Sequence, residues 1–336
     1  MLNYPLSDLS LSTVLQRNGS AVRANLQQAG VEMSTGLKSD LIAATNGNLD
    51  QIFSIDRALG HLKQQSVDLA KAQSRAEATQ LNLGTIQDVA SPFGTDLLAS
   101  VSRSDFTSAR IFAKNAEAEL TSVVRALNGE FAGRRLFSGA ADGQIAIAGT
   151  DVLLAQVSSI LTAAPDATTA LTEIDAFFDD VGGGFETLIY SGATEDAASV
   201  MTPEGERIDY MVRADAQPIR EVLKGMAITA AFDQGMFGGD LDEMKTLLSS
   251  AGQDMVSGAD GVVLMRADIG AAEAGIADGQ AYAAAQKNSL DLARTSLAGV
   301  DVFDAAARFA ALETQLTATY TVTSRLSSLT LTNFLR

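Results

Sequence analysis

"VVLMRADIGAAEAGIADGQAYAAAQKNSLDLARTSL", residues 262–297, decides the fold. Val262, Ile269, Ile276, Ala283, Leu290 and Leu297 recur at intervals of seven, with Met265, Ala272 and Ala293 on the adjacent seam position. An apolar residue at every seventh place, sustained without a proline, is the pattern of one long helix packed lengthwise on another. At 1.5 Å per residue this helix runs roughly 50 Å. An ordinary globular helix is far shorter.

Working outward toward the C-terminus, the register breaks at "AGVD", 298–301. A new apolar face follows, made of Val302, Ala305, Phe309, Leu312 and Leu316 and continuing to Leu326 and Leu329. Inside it "TATYTVT" (317–323) alternates as a strand does and is rich in β-branched residues. Its flanks are helical on both sides, so the reading remains helix. The sequence ends on "SRLSSLTLTNFLR", with Leu326, Leu329, Leu331, Phe334 and Leu335 where terminal residues are usually polar and frayed. Something is expected to bury them.

Working back to the N-terminus, Leu11, Val22 and Met33 stand eleven apart, and Leu15, Leu26 and Leu37 repeat that interval. An eleven-residue period describes a nearly straight helical seam. Gly19 and Gly30, also eleven apart, each weaken an isolated helix by about 1 kcal/mol relative to Ala. This helix is expected to need neighbours. After the turn-like "STGLKSD" (34–40) a second helical stretch carries Ile52, Ile55, Leu59, Leu62, Ile86 and Val89 and is expected to end at Pro92 and Gly94. A third begins near Ser104, a candidate N-cap, and runs through Ala113, Ala116, Leu120, Val124 and Leu127.

Composition changes beyond "RRLFSGAADG" (134–143). Helical patterns at 167–180 and 216–232 alternate with two strand-like pieces, "FETLIYSG" (185–192) and "ERIDYMVRA" (206–214), with turn chemistry in "TPEG" (202–205). The expected fold class is mainly α: a long antiparallel helical coiled-coil rod formed by the N- and C-terminal segments, with an inserted small α+β domain. The expected division is a terminal helical domain of residues 1–40 plus 299–336, a helical rod of 41–140 plus 256–298, and an inserted outer domain of 141–255.

The chain carries a net charge of -17, from 41 acidic and 24 basic residues among 336. Residues 1–40 and 301–336 each hold three acids and three bases, so the whole excess lies between 41 and 300. Neutral ends suit close packing against copies of themselves, and an acidic middle suits a solvated body. The balance argues against nucleic acid and against an anionic membrane as partners. No apolar run approaches the roughly 18 residues of a membrane span, and the N-terminal stretch lacks the basic and continuous apolar regions of a cleaved secretory signal.

The residues that carry common chemistries are sparse. There is no cysteine and a single histidine, His61, which removes thiol catalysis, disulfides and the usual zinc sites. His61 falls in a helical pattern among charged neighbours and reads as solvent-facing. "GGG" (182–184) has no following Gly-Lys-Ser/Thr and reads as a loop. Asp240 and Asp242 lack the other ligands of a calcium loop and read as a helix start, and Asp179 with Asp180 reads as acidic surface. No cofactor or metal is expected, and no enzymatic activity.

Three segments resemble the flagellin-related axial proteins of the bacterial flagellum. "QQAGVEMSTGLKSD" (27–40) resembles their block of type "LSTG" before the second helix. "EFAGRRLFSG" (130–139) resembles the block that ends the N-terminal helical half in the hook-associated protein 3 branch. "DVFDAAARFAALETQLTATYTVTSRLSSLTLTNFLR" (301–336) resembles the C-terminal helix of that branch with its Leu-rich tail. The chain departs from the family in lacking an Asp-Asp pair after the turn and in beginning "MLNYPLSD"; the second departure favours the junction branch over a filament flagellin.

The resemblance implies a structural subunit that joins hook to filament, exported without a cleaved signal and located outside the cell. The implied partners are copies of itself, hook-associated protein 1 on the hook side, flagellin on the filament side, and an export chaperone in the cytoplasm. Its terminal helices are expected to be disordered in the monomer and to order on assembly. The expected assembly interface is Leu11, Leu15, Val22, Leu26, Met33 and Leu37 in the first helix and its turn. Phe309, Leu312, Leu316, Leu326, Leu329, Leu331, Phe334 and Leu335 supply the last helix's share. Three other readings stay open: a filament flagellin, an enzyme whose site lies in 144–255, and a cytoplasmic coiled-coil scaffold.

Overall fold

The computed structural model describes residues 5–44, 49–104, 106–195, 199–232 and 236–334. The protein is mainly α. Along the chain run α1 (Pro5–Thr35), α2 (Leu41–Ala44), α3 (Asp50–Ser102), α4 (Phe106–Leu127), the strands β1 (Glu130–Phe131) and β2 (Arg134–Arg135), α5 (Thr150–Ala163) and α6 (Ala167–Asp179). Then come β3 (Val200–Met201), β4 (Arg207–Ile208), α7 (Gln217–Ala231), α8 (Leu241–Ala298) and α9 (Val302–Phe334). The chain divides into two compact units, Met1–Lys63 with Ala284–Arg336, and Gln64–Ala283.

The second unit holds the large core. On α3, Leu69, Ala76, Leu83, Ala90 and Leu97 are buried at intervals of seven, and on α8 Val262, Ile269, Ile276 and Ala283 are buried at the same interval. The two helices run antiparallel: the Gln80 amide donates to the Arg266 carbonyl at 2.6 Å, and the Arg266 guanidinium lies over Gly84 and donates to Gln80 (3.2 Å) and to Gln87. Further along, a methyl group on Gly94 would stand 2.9 Å from Met255 Cβ and 3.1 Å from the Gly252 carbonyl. Gly94 is therefore a contact point between helices and does not end one.

That corrects the expectation of a break at Pro92 and Gly94, since α3 continues to Ser102. Pro92 is exposed, so the Asp88 carbonyl that its missing N–H leaves unpaired faces water. Burial of Ala90, Gly94 and Leu97 on the opposite face holds the helix together across it.

The strands are also shorter than expected and lie partly elsewhere. "FETLIYSG" forms a single π-helical turn over Phe185–Ile189, closed by the Tyr190 N–H on the Phe185 carbonyl at 2.8 Å. Strand alternation would put Phe185, Thr187 and Ile189 on one face, but Thr187 is exposed while the other two are buried. The spacing of four lets Phe185 stack on Phe178, with ring centroids 5.5 Å apart. In "ERIDYMVRA" only Arg207–Ile208 is strand, paired antiparallel with Val200–Met201 across the Thr202–Glu206 turn. The other hairpin lies in "EFAGRRLFSG": Glu130 pairs Arg135 and Phe131 pairs Arg134 across Ala132 (φ 51) and Gly133 (φ 76). Two consecutive positive φ values make the tight turn whose twist suits a two-residue hairpin. Leu136, Phe137 and Ser138 then enter the core, and Asn128 clasps the 146–147 backbone from both sides, accepting from the two N–H groups and donating to the Ile147 carbonyl.

At the junction of α6, α7 and α8 the buried Lys224 gathers three carboxylates, of which Asp175 and Asp179 are exposed, a cluster that the sequence pattern does not disclose. Lys224 lies 2.8 Å from Asp175, 3.6 Å from Asp179 and 3.5 Å from Asp254. Burial alone would lower the Lys224 pKa, but the three carboxylates outweigh it and the net shift is upward. Burial pushes Asp254 up to about 6, with Lys224 opposing and Asp175 and Glu221 adding to the rise. A folded-state pKa above the unfolded value means that this group's contribution is fully present below the unfolded pKa and is lost as pH rises through about 6. Asp254→Asn is therefore expected to raise neutral-pH stability by about 1–3 kcal/mol and to flatten the stability profile between pH 5 and 7. Thermal melts at pH 5 and pH 7.5 check it; a less stable variant at pH 7.5 would mean that Lys224 needs this third counter-ion.

Candidate assembly interface

The first unit is built differently. Among its described residues the buried apolar side chains are Val22, Ala29, Ile52, Ile55, Leu62, Ala298 and Ala305. Two long helices, α1 and α9, pack against each other there. The face of α1 toward α9 is Leu15, Gly19, Val22, Leu26 and Ala29, and the face of α9 is Ala305, Phe309, Leu312, Leu316 and Thr319. Both step by fours and threes. The seam thus follows a seven-residue rhythm instead of the eleven-residue one expected from Leu11, Val22 and Met33. A helix paired with a single antiparallel neighbour keeps its contact line at a 3.5-residue period.

The two glycines belong to this seam. A methyl on Gly30 would lie 3.4 Å from the Phe309 ring, and one on Gly19 would lie 3.8 Å from Thr319 Cγ2. They admit α9 closely, and the helix-weakening they bring is offset by that contact. Arg23 adds a cation over the Tyr320 ring, 5.2 Å from its centroid.

Where the two register breaks occur, they meet. Gly36 (φ 68) ends α1 in the left-handed conformation, its N–H bonding back to the Glu32 carbonyl at 2.9 Å. The Lys38 N–H donates to the Ala298 carbonyl (2.8 Å) and the Val300 N–H to the Gly36 carbonyl (3.0 Å), an isolated antiparallel bridge between Leu37 and Gly299. "STGLKSD" and "AGVD" are thus two halves of one backbone clip.

Beneath the clip lies Glu32, whose side chain is 4% exposed. It accepts from Gln28 Nε2 (3.3 Å), from the Ser39 N–H (3.2 Å), from the Ser39 hydroxyl (3.2 Å) and from Arg308 (3.1 Å). Burial by itself would raise its pKa; the bonds from Ser39 and Gln28 and the charge of Arg308 outweigh that and hold it below the ordinary 4.5. A groove of about 390 Å³ opens beside it, lined by Asn25, Gln28, Ala29, Arg308, Ala311 and Leu312.

Residues 258–335 match the bacterial flagellin C-terminal helical region. This flagellin-type region takes in the second part of α8, the 298–301 break and α9, and so includes every α9 contact with α1 described above. A comparison with curated proteins finds no match. Among solved structures the chain is similar to the crystal structure of Bacillus cereus FlgL, at 16% identity and a TM-score of 0.47 over 72% of this chain and 98% of that one.

The structure brings together Leu15, Val22 and Leu26 with Phe309, Leu312 and Leu316 of the flagellin-type helix. Met33 is 38% exposed and Leu37 lies beyond the end of α1, in the clip. The side chains of Leu11, Leu326, Leu329, Leu331 and Phe334, and Leu335 as a whole, lie outside the described residues. Glu32, Ser39 and Arg308 were not among the expected site residues; a lone acid on an otherwise uncharged helical face was the available signal.

The unit leaves apolar side chains in solvent: Val14, Val31, Ile42 and Phe53 are each more than half exposed, Phe303 is 87% exposed, and Val302 and Val322 are nearly half exposed. Among the described residues no group of three or more His, Cys, Asp or Glu is placed to hold a metal ion, and no helix is long and apolar enough to cross a membrane. His61 is exposed on α3, and Asp240 accepts from the Asp242 N–H at 2.9 Å at the start of α8.

Proposed function

We propose that the protein is a non-enzymatic structural subunit of the bacterial flagellum, joining the hook to the flagellin filament by self-assembly through α1 and α9. The observation that carries the reading is that the flagellin-type C-terminal region contains the very helix that pairs with α1. Supporting it, the pair buries few apolar groups and exposes several. A two-helix pair with so thin a seam is marginal by itself, and neighbouring copies that cover an exposed Val or Phe add about 1.5–3 kcal/mol for each side chain fully buried. In this reading Leu15, Val22, Leu26, Phe309, Leu312 and Leu316 set the pair. Met33, Leu37 and the apolar residues toward both termini, Leu11 and Leu326 to Leu335, face neighbours.

The junction assignment rests on the resemblance of 130–139 and 301–336 to the hook-associated protein 3 branch. It has hook-associated protein 1 on one side and flagellin on the other, with residues 1–40 and 299–336 as the terminal inner-tube domain, 41–140 and 256–298 as the rod domain, and 141–255 as the inserted outer domain. Export proceeds without a cleaved signal, with a chaperone shielding the apolar C-terminal helix.

Deleting the gene tests the assignment by electron microscopy of the cells together with assay of flagellin in the medium. Bare hooks with flagellin shed into the medium are the expected result. Bare hooks with no other flagellin shed would make this chain the filament subunit itself, and hooks with normal filaments would overturn a structural role in either.

A further inference from the structure

Glu32 joins three parts of the chain that are far apart in sequence. Its carboxylate takes donors from its own helix (Gln28), from the turn (Ser39, backbone and hydroxyl) and from α9 (Arg308), the last 276 residues away. We propose that Glu32 is a register key and latch: it selects which turn of α9 lies against α1, and it ties that pairing to closure of the 36–40 clip. The proposal takes the α1–α9 pair as the assembly element and so rests on the reading above.

The apolar seam specifies register poorly. Its contacts are small or half-buried residues at a seven-residue rhythm, so a slide of α9 by seven residues replaces one set with a similar set. Glu32 makes those slides unequal. In the observed register it faces Arg308; a slide of seven one way would bring Asp301 opposite, and the other way Gln315. The first sets two carboxylates against each other in a buried place, and the second leaves a buried charge with no cation. A single buried polar group that penalises wrong alignments is the best-attested use of such groups in paired helices.

The latch works through shared solvent exclusion. When α9 departs, Glu32 loses Arg308 and gains water, which competes with both Ser39 donors. When the clip opens, Glu32 loses two of its four donors while still buried against α9. Each event weakens the other. On the turn the charged Lys38 and Asp40 are exposed, and among the described residues the ion pair of Glu32 is with Arg308.

Because the native chain has no cysteine, introduced cysteine pairs read the register directly, and air oxidation traps even a transient pairing. The full-length chain with Gly19→Cys and Thr319→Cys reports the observed alignment. Gly19→Cys with Leu312→Cys reports the slide that sets Glu32 against Asp301. With Glu32 intact the first pair is expected to cross-link and the second to remain reduced. Adding Glu32→Gln should lower the ratio of the two products about tenfold or more, and Arg308→Gln, which leaves Ser39 and Gln28 in place, should do the same. Since the carboxyl sits below its ordinary pKa, its contribution is present above the unfolded value and is lost as pH falls through the folded one. An unchanged ratio in both variants would overturn the proposal and assign register to the backbone clip alone. The readout needs no flagellum, so it stands or falls separately from the deletion experiment.

Discussion

A Val22→Asp chain is expected to lose the α1–α9 pairing, to keep the second unit folded, and to leave cells without filaments. Val22 is 6% exposed in a seam that holds few other buried side chains. Aspartate there must either ionise in an apolar contact or hold a proton at neutral pH, and each costs several kcal/mol. The pair has little in reserve to meet that cost. The core of the second unit, which spans Leu69 to Ile276, contains no residue of α1, so its thermal transition should not move. Limited proteolysis reads the first effect, calorimetry the second, and microscopy the third. Wild-type protection of residues 13–35 together with normal filaments would mean that this seam does not hold the pair.

The second large effect is expected in the other unit. A methyl on Gly225 of α7 would fall 2.4 Å from the Ala251 carbonyl oxygen and 2.7 Å from Met255 Cγ on α8. The first is backbone of a helix whose own bonds fix it, so the clash is relieved only by moving α7 away from the core. Gly225→Val should cost about 3 kcal/mol and lower the melting temperature by about 10 °C. Gly60 supplies the contrast. It lies in α3 with nothing within 4 Å of the added methyl, and Gly60→Ala should stabilise by about 0.5–1 kcal/mol. Equal responses at the two positions would show that propensity, and not helix approach, dominates.

How much of this was legible beforehand differs from element to element. The α8 seam could be read because Val262, Ile269 and Ile276 are strongly apolar against a background of Ala, Gly and charged residues. Its counterpart on α3 was hidden, since Ala76 and Ala90 fill two of the five buried places and alanine is as common outside seams as inside them. Pro92 misled because a proline's effect depends on which side of the helix it occupies, and exposure is not written in the local sequence. "FETLIYSG" misled because aromatic and β-branched residues spaced by four serve a helical turn as well as spacing by two serves a strand. The polar keys were the least visible. Glu32 and Lys224 gain their character from partners tens to hundreds of residues away, and a single sequence carries no trace of those pairings.

One consequence of the clip concerns time. Leu37 meets Gly299, and Glu32 meets Arg308, across nearly the whole length of the polypeptide. A chain emerging from the ribosome, or threaded through any narrow passage, therefore has all of residues 64–283 available to collapse before α1 can find its partner. Loop-closure entropy makes such distant contacts the slowest to form, and prior collapse of the intervening segment shortens the effective loop. α1, made before the other helices described, is thus among the last to be satisfied. α1 stays unpaired until α9 has been made, and in that interval its apolar stripe is open to whatever meets it first.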